Sequence, residues 1–105
     1  MKYYINDTTT YIASDYGIIR CDFEDKPNTL FLSNLIVNEN NRKHGYGTEL
    51  INEAISYAKD HYCDTVSLEV DENEIWLLTW YKKLGFIIVG YGYMDNYLLM
   101  SKYIG

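Results

Sequence analysis

The 105-residue chain carries fifteen acidic and nine basic residues, giving a formal net charge of −6, and 48% of its residues are hydrophobic. This length fits one domain spanning residues 1–105, with enough chain to bury a substantial core. An acidic chain is a poor partner for nucleic acid, because the sequence-independent part of that affinity comes from Lys and Arg. The excess of carboxylates suits a cationic ligand such as an amine, although acidic surfaces more often serve solubility.

The two cysteines predict neither a metal site nor a redox site. Cys21 and Cys63 are far apart and match no CxxC or other metal-ligand spacing, so we interpret both as small buried apolar side chains. No apolar run approaches the ~20 residues that span a bilayer, and the N-terminus lacks the apolar stretch of a signal peptide. We therefore expect a cytoplasmic protein with no membrane partner.

The N-terminal third is predicted to form β structure. Residues 11–14 and 17–23 are rich in β-branched and aromatic side chains and flank a hairpin turn at 15–17. A turn-like segment at 24–28 contains the single proline, and a mostly apolar central strand follows at 29–37.

Two helices are predicted from residue 47 onward, where apolar residues recur at helical spacing. The first has the stripe Leu50, Ile51, Ala54, Ile55, Ala58 and Tyr62. The second is expected to be capped by the acidic segment 71–74 and ended by Gly85, with the stripe Trp76, Leu77, Trp80, Tyr81 and Leu84.

Strands are predicted around these helices. Alternation at 65–70 indicates a strand between them, and residues 86–92 and 97–103 are expected to form the last two strands. The predicted order is β-β-β-α-β-α-β-β. This order describes an α/β (α+β) domain with a mixed sheet.

The junction between the central strand and the first helix contains Gly45 and Gly47. The first turn of a helix has unpaired N–H groups and the positive end of the helix dipole, so it favours an anion such as phosphate. Glycine lets the backbone approach a ligand closely and adopt positive φ. A glycine pair alone is weak support, because many turns before helices contain glycine for conformational reasons.

The segment Arg42-Lys43-His44-Gly45-Tyr46-Gly47 resembles the R/Q-x-x-G-x-G/A signature of the GNAT family of N-acetyltransferases. A second block, Leu68-Glu69-Val70 with Trp80-Tyr81-Lys82-Lys83-Leu84-Gly85-Phe86, resembles the family's LEV...LYEKLGF pattern. The resemblance covers about residues 30–86. It implies a mainly antiparallel mixed sheet of about five to six strands with two main helices, and it implies acetyl-CoA as co-substrate.

The resemblance also implies how the cofactor is held. The strand before the loop would pair with the pantetheine arm and direct a main-chain N–H at the acetyl carbonyl, and amides from Lys43 to Thr48 would cradle the pyrophosphate. Arg42 and Lys43 would add charge, or they are simply solvated. The implied cofactor-binding residues are Leu35, Ile36, Val37, Arg42, Lys43, His44, Gly45, Tyr46, Gly47, Thr48, Asn73 and Glu74.

Acetyl transfer to an amine requires two proton-handling groups, one for the amine and one for the departing thiolate. In relatives that acetylate protein N-termini, such as the ribosomal-protein alanine acetyltransferases, a strand Glu is the base and a Tyr twelve residues later is the acid. Glu69 and Tyr81 match that spacing. The alternatives are that Tyr81 belongs only to the core stripe and that Glu69 only faces water.

The sequence departs from the family pattern at three places. Glu74 replaces an Asn that often contacts the cofactor, with Asn73 one residue earlier, and the central strand carries Ser33 and Asn34 where many members place a base. Only about thirty residues precede that strand, enough for two strands and a stub. A short form lacking the usual N-terminal strand and helices implies an open acceptor groove, a bulky acceptor, or completion by another subunit.

The resulting prediction is direct acetyl transfer from acetyl-CoA to a primary amine, on a protein N-terminus or lysine. A small amine or polyamine is the next acceptor considered. The alternatives are a non-catalytic module that binds CoA or a partner, and a scaffold that binds no CoA. Twelve tyrosines could furnish a homodimer interface, although protein cores also use them.

Overall fold

The computed structural model describes residues 1–26, 28–39 and 44–105, which form seven strands and two helices. In chain order these are β1 (Lys2–Asn6), β2 (Thr9–Ala13), β3 (Gly17–Phe23), β4 (Thr29–Val37), α1 (Tyr46–Asp60), β5 (Thr65–Asp71), α2 (Ile75–Lys83), β6 (Ile87–Tyr91) and β7 (Tyr97–Tyr103). The predicted Arg42 and Lys43 lie outside the described residues.

The strands form one sheet in the order β1-β2-β3-β4-β5-β7-β6. Strands β1 to β4 pair antiparallel through short turns, and β7 pairs antiparallel with both β5 and β6. The β4–β5 pair is parallel, with α1 as its crossover. The prediction of a mainly antiparallel mixed sheet with two helices is confirmed.

The predicted strand count of five to six is one strand short at the N-terminus. All five residues of β1 are exposed, so this strand shows none of the buried alternation from which strands are recognised. It pairs with β2 across a tight turn in which Asp7 has φ 56°. Three strands, rather than the expected two, therefore precede β4.

Helix α1 packs against β2, β3, β4 and β5 through the predicted apolar stripe. Leu50, Ile51 and Ala54 are fully buried. The assignment of Tyr62 to this stripe is wrong, because the helix ends at Asp60 and Tyr62 has φ 63° with 89% of its surface exposed. His61 caps the helix, and its Nδ1 lies 2.8 Å from the Tyr57 carbonyl oxygen.

Helix α2 begins at Ile75, directly after the predicted cap segment 71–74. Its N-cap is Glu74, without a side-chain capping bond, and Asp71 belongs to β5. Gly85 follows the C-terminus with φ 97°, as expected for a residue that ends a helix. Placing Trp76 in the buried stripe is wrong, since it is 68% exposed and Leu78 is buried instead.

The core lies between the sheet and the two helices, which occupy the same face. A Cβ on Gly47 of α1 would stand 3.3 Å from the Trp80 ring of α2, so the helices meet closely at the start of α1. Cys21 and Cys63 are buried free thiols, as predicted. The described side chains that are fully buried are Thr10, Ile12, Ile19, Cys21, Leu30, Leu50, Ile51, Ala54, Ala58, Val66, Val70, Phe86 and Met100.

Neither α1 nor α2, nor any other described segment, is a helix with the length and apolarity to cross a bilayer.

Candidate active site

A cleft opens where β4 and β5 stop pairing. Their parallel ladder ends at Leu32 and Leu68, although β4 continues to Val37 and β5 to Asp71. At the same place β4 carries a bulge, because the register with β3 moves from Arg20–Ser33 to Ile18–Ile36. An extra residue in one strand bends it and increases its twist. The bulge thus directs β4 away from β5 and leaves a cleft of about 1180 Å³.

One side of this cleft consists of β4 residues 33–37 and the helix start at residues 45–48, which we call the main-chain wall. Gly45 is the N-cap of α1 with φ 82°, and no side chain of the described residues caps this end. The Glu49 N–H donates to the Gly45 carbonyl oxygen at 3.0 Å, which starts the helical ladder. The N–H groups of the first turn precede that ladder and point out of the helix end. They form a ready anion-binding corner.

The other side of the cleft consists of Glu69 on β5 and Trp80 and Tyr81 on α2, which we call the side-chain wall. Tyr81 is only 7% exposed, and its ring packs edge-on against Phe86 with centroids 5.6 Å apart. Burial raises the pKa of Tyr81 to about 12, so the phenol is fully protonated at neutral pH. The Tyr81 hydroxyl has no hydrogen-bond partner among the described residues, and its oxygen is accessible from the cleft.

Glu69 occupies the boundary between this cleft and a second groove of about 490 Å³. Its Oε1 accepts a hydrogen bond of 2.8 Å from the Tyr93 main-chain N–H. The second groove is rich in carboxylates, with aromatic walls. It is lined by Asp22, Phe23, Glu24, Asp25, Lys26, Phe31, Glu69 and Tyr93.

The structure brings together most of the residues singled out from the sequence. The cleft is lined by Leu35, Ile36, Val37, Gly45, Tyr46, Gly47, Thr48, Glu69 and Tyr81. Their cofactor-binding and catalytic roles stay predictions.

Three predicted cofactor residues stand apart from the cleft lining. His44 is exposed, with its ring 5.9 Å from that of Tyr46. The Asn73 N–H donates to Asp71 Oδ1 at 2.9 Å, and Glu74 accepts a 3.0 Å bond from the Trp76 indole. Both residues are thus engaged in the turn that starts α2.

Sequence reasoning missed the exposed Trp76 as a cleft residue. Trp76 and Trp80 are four residues apart, so they lie on the same side of α2, and both line the cleft. This spacing is visible in the sequence, but it is equally typical of a buried helix stripe. Within the described part of the chain, no group of three His, Cys, Asp or Glu side chains lies close enough to hold a metal ion.

Comparison with known proteins agrees with this architecture. The family model described as "Acetyltransferase (GNAT) family" matches residues 6–86. The chain is 35% identical over 80 residues to the uncharacterized N-acetyltransferase YvbK of Bacillus subtilis strain 168, covering 76% of this chain and 52% of that protein. The chain thus spans about half the length of that curated relative.

Solved structures share the fold at low sequence identity. The ribosomal-protein-S18-alanine N-acetyltransferase of Escherichia coli superposes with a TM-score of 0.78 at 17% identity, covering 96% of this chain and 72% of that one. A Bacillus subtilis acetyltransferase in complex with CoA gives 0.78 at 21% identity, covering 94% and 79%. The splayed strands, the glycine turn and the match over most of the chain lead to one conclusion: the chain belongs to the GNAT family of acetyltransferases.

Proposed function

We propose that this chain transfers an acetyl group from acetyl-CoA to a primary amine of a protein. The observation that carries the proposal is the meeting of two unlike walls in one cleft. A helix start rich in main-chain donors faces a wall that presents a carboxylate and a buried phenol. The first suits a diphosphate, and the second suits proton transfer.

The cofactor would lie along the main-chain wall. The N–H groups at the start of α1 would bind the pyrophosphate, with Gly45 supplying the left-handed turn that exposes them. The pantetheine arm would follow the segment Leu35 to Val37, beyond the last β4–β5 pair at Leu32. Acetyl-CoA bound in this way supplies an activated thioester, and the B. subtilis neighbour of the same fold is a complex with CoA.

The reaction would be a direct transfer within a ternary complex. The amine nitrogen attacks the thioester carbonyl carbon, a C–N bond forms, the C–S bond breaks, and CoA leaves as a thiolate. The amine loses a proton to Glu69. The Tyr81 hydroxyl donates a hydrogen bond, and finally a proton, to the departing sulfur.

The raised pKa of Tyr81 makes it a donor and never a base at neutral pH. Complete proton transfer from this phenol to the thiolate is unfavourable in free energy, because the corresponding thiol has a pKa of ~8.5. The larger contribution is therefore stabilisation of negative charge on sulfur while the C–S bond breaks. An α-amine, with a reference pKa of about 7.7–8.0, requires less help from Glu69 than lysine at about 10.4.

The second groove favours a further candidate, a small polycationic amine. Asp22 is already paired with Arg20, at 2.8 Å between Oδ2 and Nε. Besides Glu69, the carboxylates of Glu24 and Asp25 line that groove, together with the cationic side chain of Lys26. An acceptor with a second positive charge would be attracted there, whether that charge belongs to a polyamine or to a basic residue near a protein N-terminus.

The test measures binding and turnover separately. We expect acetyl-CoA at 100-fold above its Kd to raise the free energy of unfolding by about 3 kcal/mol. Free thiol should be released when peptides with a free α-amine, α-blocked lysine peptides or polyamines are added, and mass spectrometry would locate the acetyl group. Stabilisation without thiol release from any amine would favour a non-catalytic CoA-binding module. No stabilisation at all would reject both.

A further inference from the structure

The turn between β6 and β7 contacts Glu69 through a main-chain group and not through a side chain. Tyr93, at this turn, donates its main-chain N–H to Glu69 Oε1 at 2.8 Å. Its neighbour Gly92 is fixed in turn, because the Gly92 N–H donates to the Tyr97 carbonyl oxygen at 2.8 Å. The donor that meets the carboxylate is therefore set by the β6–β7 connection and not by a mobile side chain.

Gly92 is required there for space and not for backbone conformation. Its φ lies outside the left-handed region, so an alanine could adopt the same backbone. A Cβ at this position would stand 2.0 Å from Glu69 Oε1 and 2.8 Å from its Cδ. Both Glu69 atoms are the end of a flexible side chain, so the carboxylate can move away. The third neighbour, Tyr97 Cβ at 3.1 Å, would need to shift by only a few tenths of an ångström. Alanine at position 92 would thus displace Glu69 farther than any other neighbour.

We propose that Gly92 and Tyr93 are positioning residues that hold Glu69 at the boundary between the cleft and the second groove. This inference rests on the proposed function, in which Glu69 takes the proton of the acceptor amine. With Oε1 bound to the turn, Oε2 has no hydrogen-bond donor among the described residues. Oε2 is the oxygen left to meet an amine that enters from the groove.

The fixed donor also determines how rigidly the base is presented. A carboxylate on a half-exposed strand residue has several rotamers, and each one lost before the reaction lowers the entropic cost of reaching the productive geometry. Displacement of a reacting group by about 1 Å can reduce a rate by about 10²-fold. Gly92 acts on the rate only through Glu69.

The first test is a double-mutant cycle in turnover. We expect Gly92→Ala to lower kcat by about 10- to 100-fold with the Kd for acetyl-CoA unchanged. In a Glu69→Gln background the same change should lower kcat less than twofold further. Gly90→Ala is the matched control, because a Cβ at that position meets nothing within 4 Å. Full activity of Gly92→Ala, or an equal loss in both backgrounds, would overturn the inference.

The second test does not depend on activity. Tyr93 is 87% exposed, so protection of its amide from hydrogen exchange comes from the contact with Glu69. We expect exchange at Tyr93 to accelerate about tenfold or more in Glu69→Ala, which removes the acceptor, and in Gly92→Ala but not in Gly90→Ala. Equal exchange in all variants overturns the positioning role even if acetyl transfer is found. A protected amide that these variants release, in a chain that acetylates no amine, supports the hold of the turn on Glu69 and rejects the proposed function alone.

Discussion

The main-chain wall and the side-chain wall of the cleft are built from different parts of the polypeptide. The first presents backbone groups at the end of a bulged strand and at a glycine-started helix. The second presents Glu69 and Tyr81, fixed by the β6–β7 turn and by aromatic packing. Backbone donors depend on the conformation of the chain, whereas a carboxylate and a phenol depend on side-chain identity. Changes in the two walls should therefore separate cofactor affinity from turnover.

The largest effect is expected on the side-chain wall. Tyr81→Phe should reduce kcat by about 10²–10⁴, the usual contribution of a positioned acid, with acetyl-CoA affinity unchanged because the ring is kept. Thiol release and calorimetric titration would measure the two quantities. The matched control is Tyr62→Phe, which alters a tyrosine that is 89% exposed beyond the end of α1. A Tyr81→Phe enzyme with full kcat would place the acid elsewhere and erase the contrast between the walls.

Burial of Tyr81 also predicts how stability depends on pH. Burial raises the pKa of Tyr81 from 10.0 to about 12 and the pKa of Cys21 from 9.0 to about 12. The unfolded chain therefore loses these protons at lower pH than the folded chain does. Their contribution to the free energy of unfolding is complete below pH 9 and is lost as the pH rises to about 12. Denaturant unfolding of Tyr81→Phe should show a shallower alkaline decline, by about 1–3 kcal/mol over that range. Parallel curves for the variant and the parent would contradict the burial of the phenol.

A change in the main-chain wall should show the opposite pattern. Gly45→Ala places a Cβ at φ 82° and should cost about 1 kcal/mol of stability. It should also weaken acetyl-CoA binding by about fivefold, an equivalent free energy, while kcat at saturating cofactor stays within twofold. Gly45→Asn is the control, because asparagine tolerates this conformation better. The contrast fails if Gly45→Ala lowers kcat and leaves the Kd unchanged.

The smallest effect is expected at the C-terminal end of α2, the helix that carries Tyr81. Lys102 Nζ donates to the Leu84 carbonyl oxygen at 2.8 Å, at the C-terminal end of α2 where a positive charge also favours the helix dipole. Lys102→Met should lower the free energy of unfolding by about 0.5–1 kcal/mol, as measured by chemical denaturation. Replacing exposed Lys2 of β1 by Met is the control. An equal response of the two variants would remove any capping role.

Local patterns in the sequence predicted many element positions. The strands at 29–37 and 97–103 have the predicted bounds, because their apolar and β-branched runs end at turn residues. Gly45 and Gly85 both have positive φ at helix ends, which glycine adopts without steric cost. The sequence pattern does not predict strand β1, because its side chains are all exposed and the strand is defined by its pairing with β2. Periodicity likewise could not separate Trp76, which faces the cleft, from Leu78, which is buried.

Resemblance to the GNAT family singled out Glu69 and Tyr81, whereas the sequence by itself determined the order of most elements and the glycine turn at the start of α1. These features depend on residue type and on short spacing, which a single chain displays directly. The tertiary structure alone decided where β4 and β5 part, how deeply Tyr81 is buried, and that the Tyr93 amide meets Glu69. Each of these depends on segments distant in sequence that come together only when the sheet closes over its core, and no local pattern encodes such a distance.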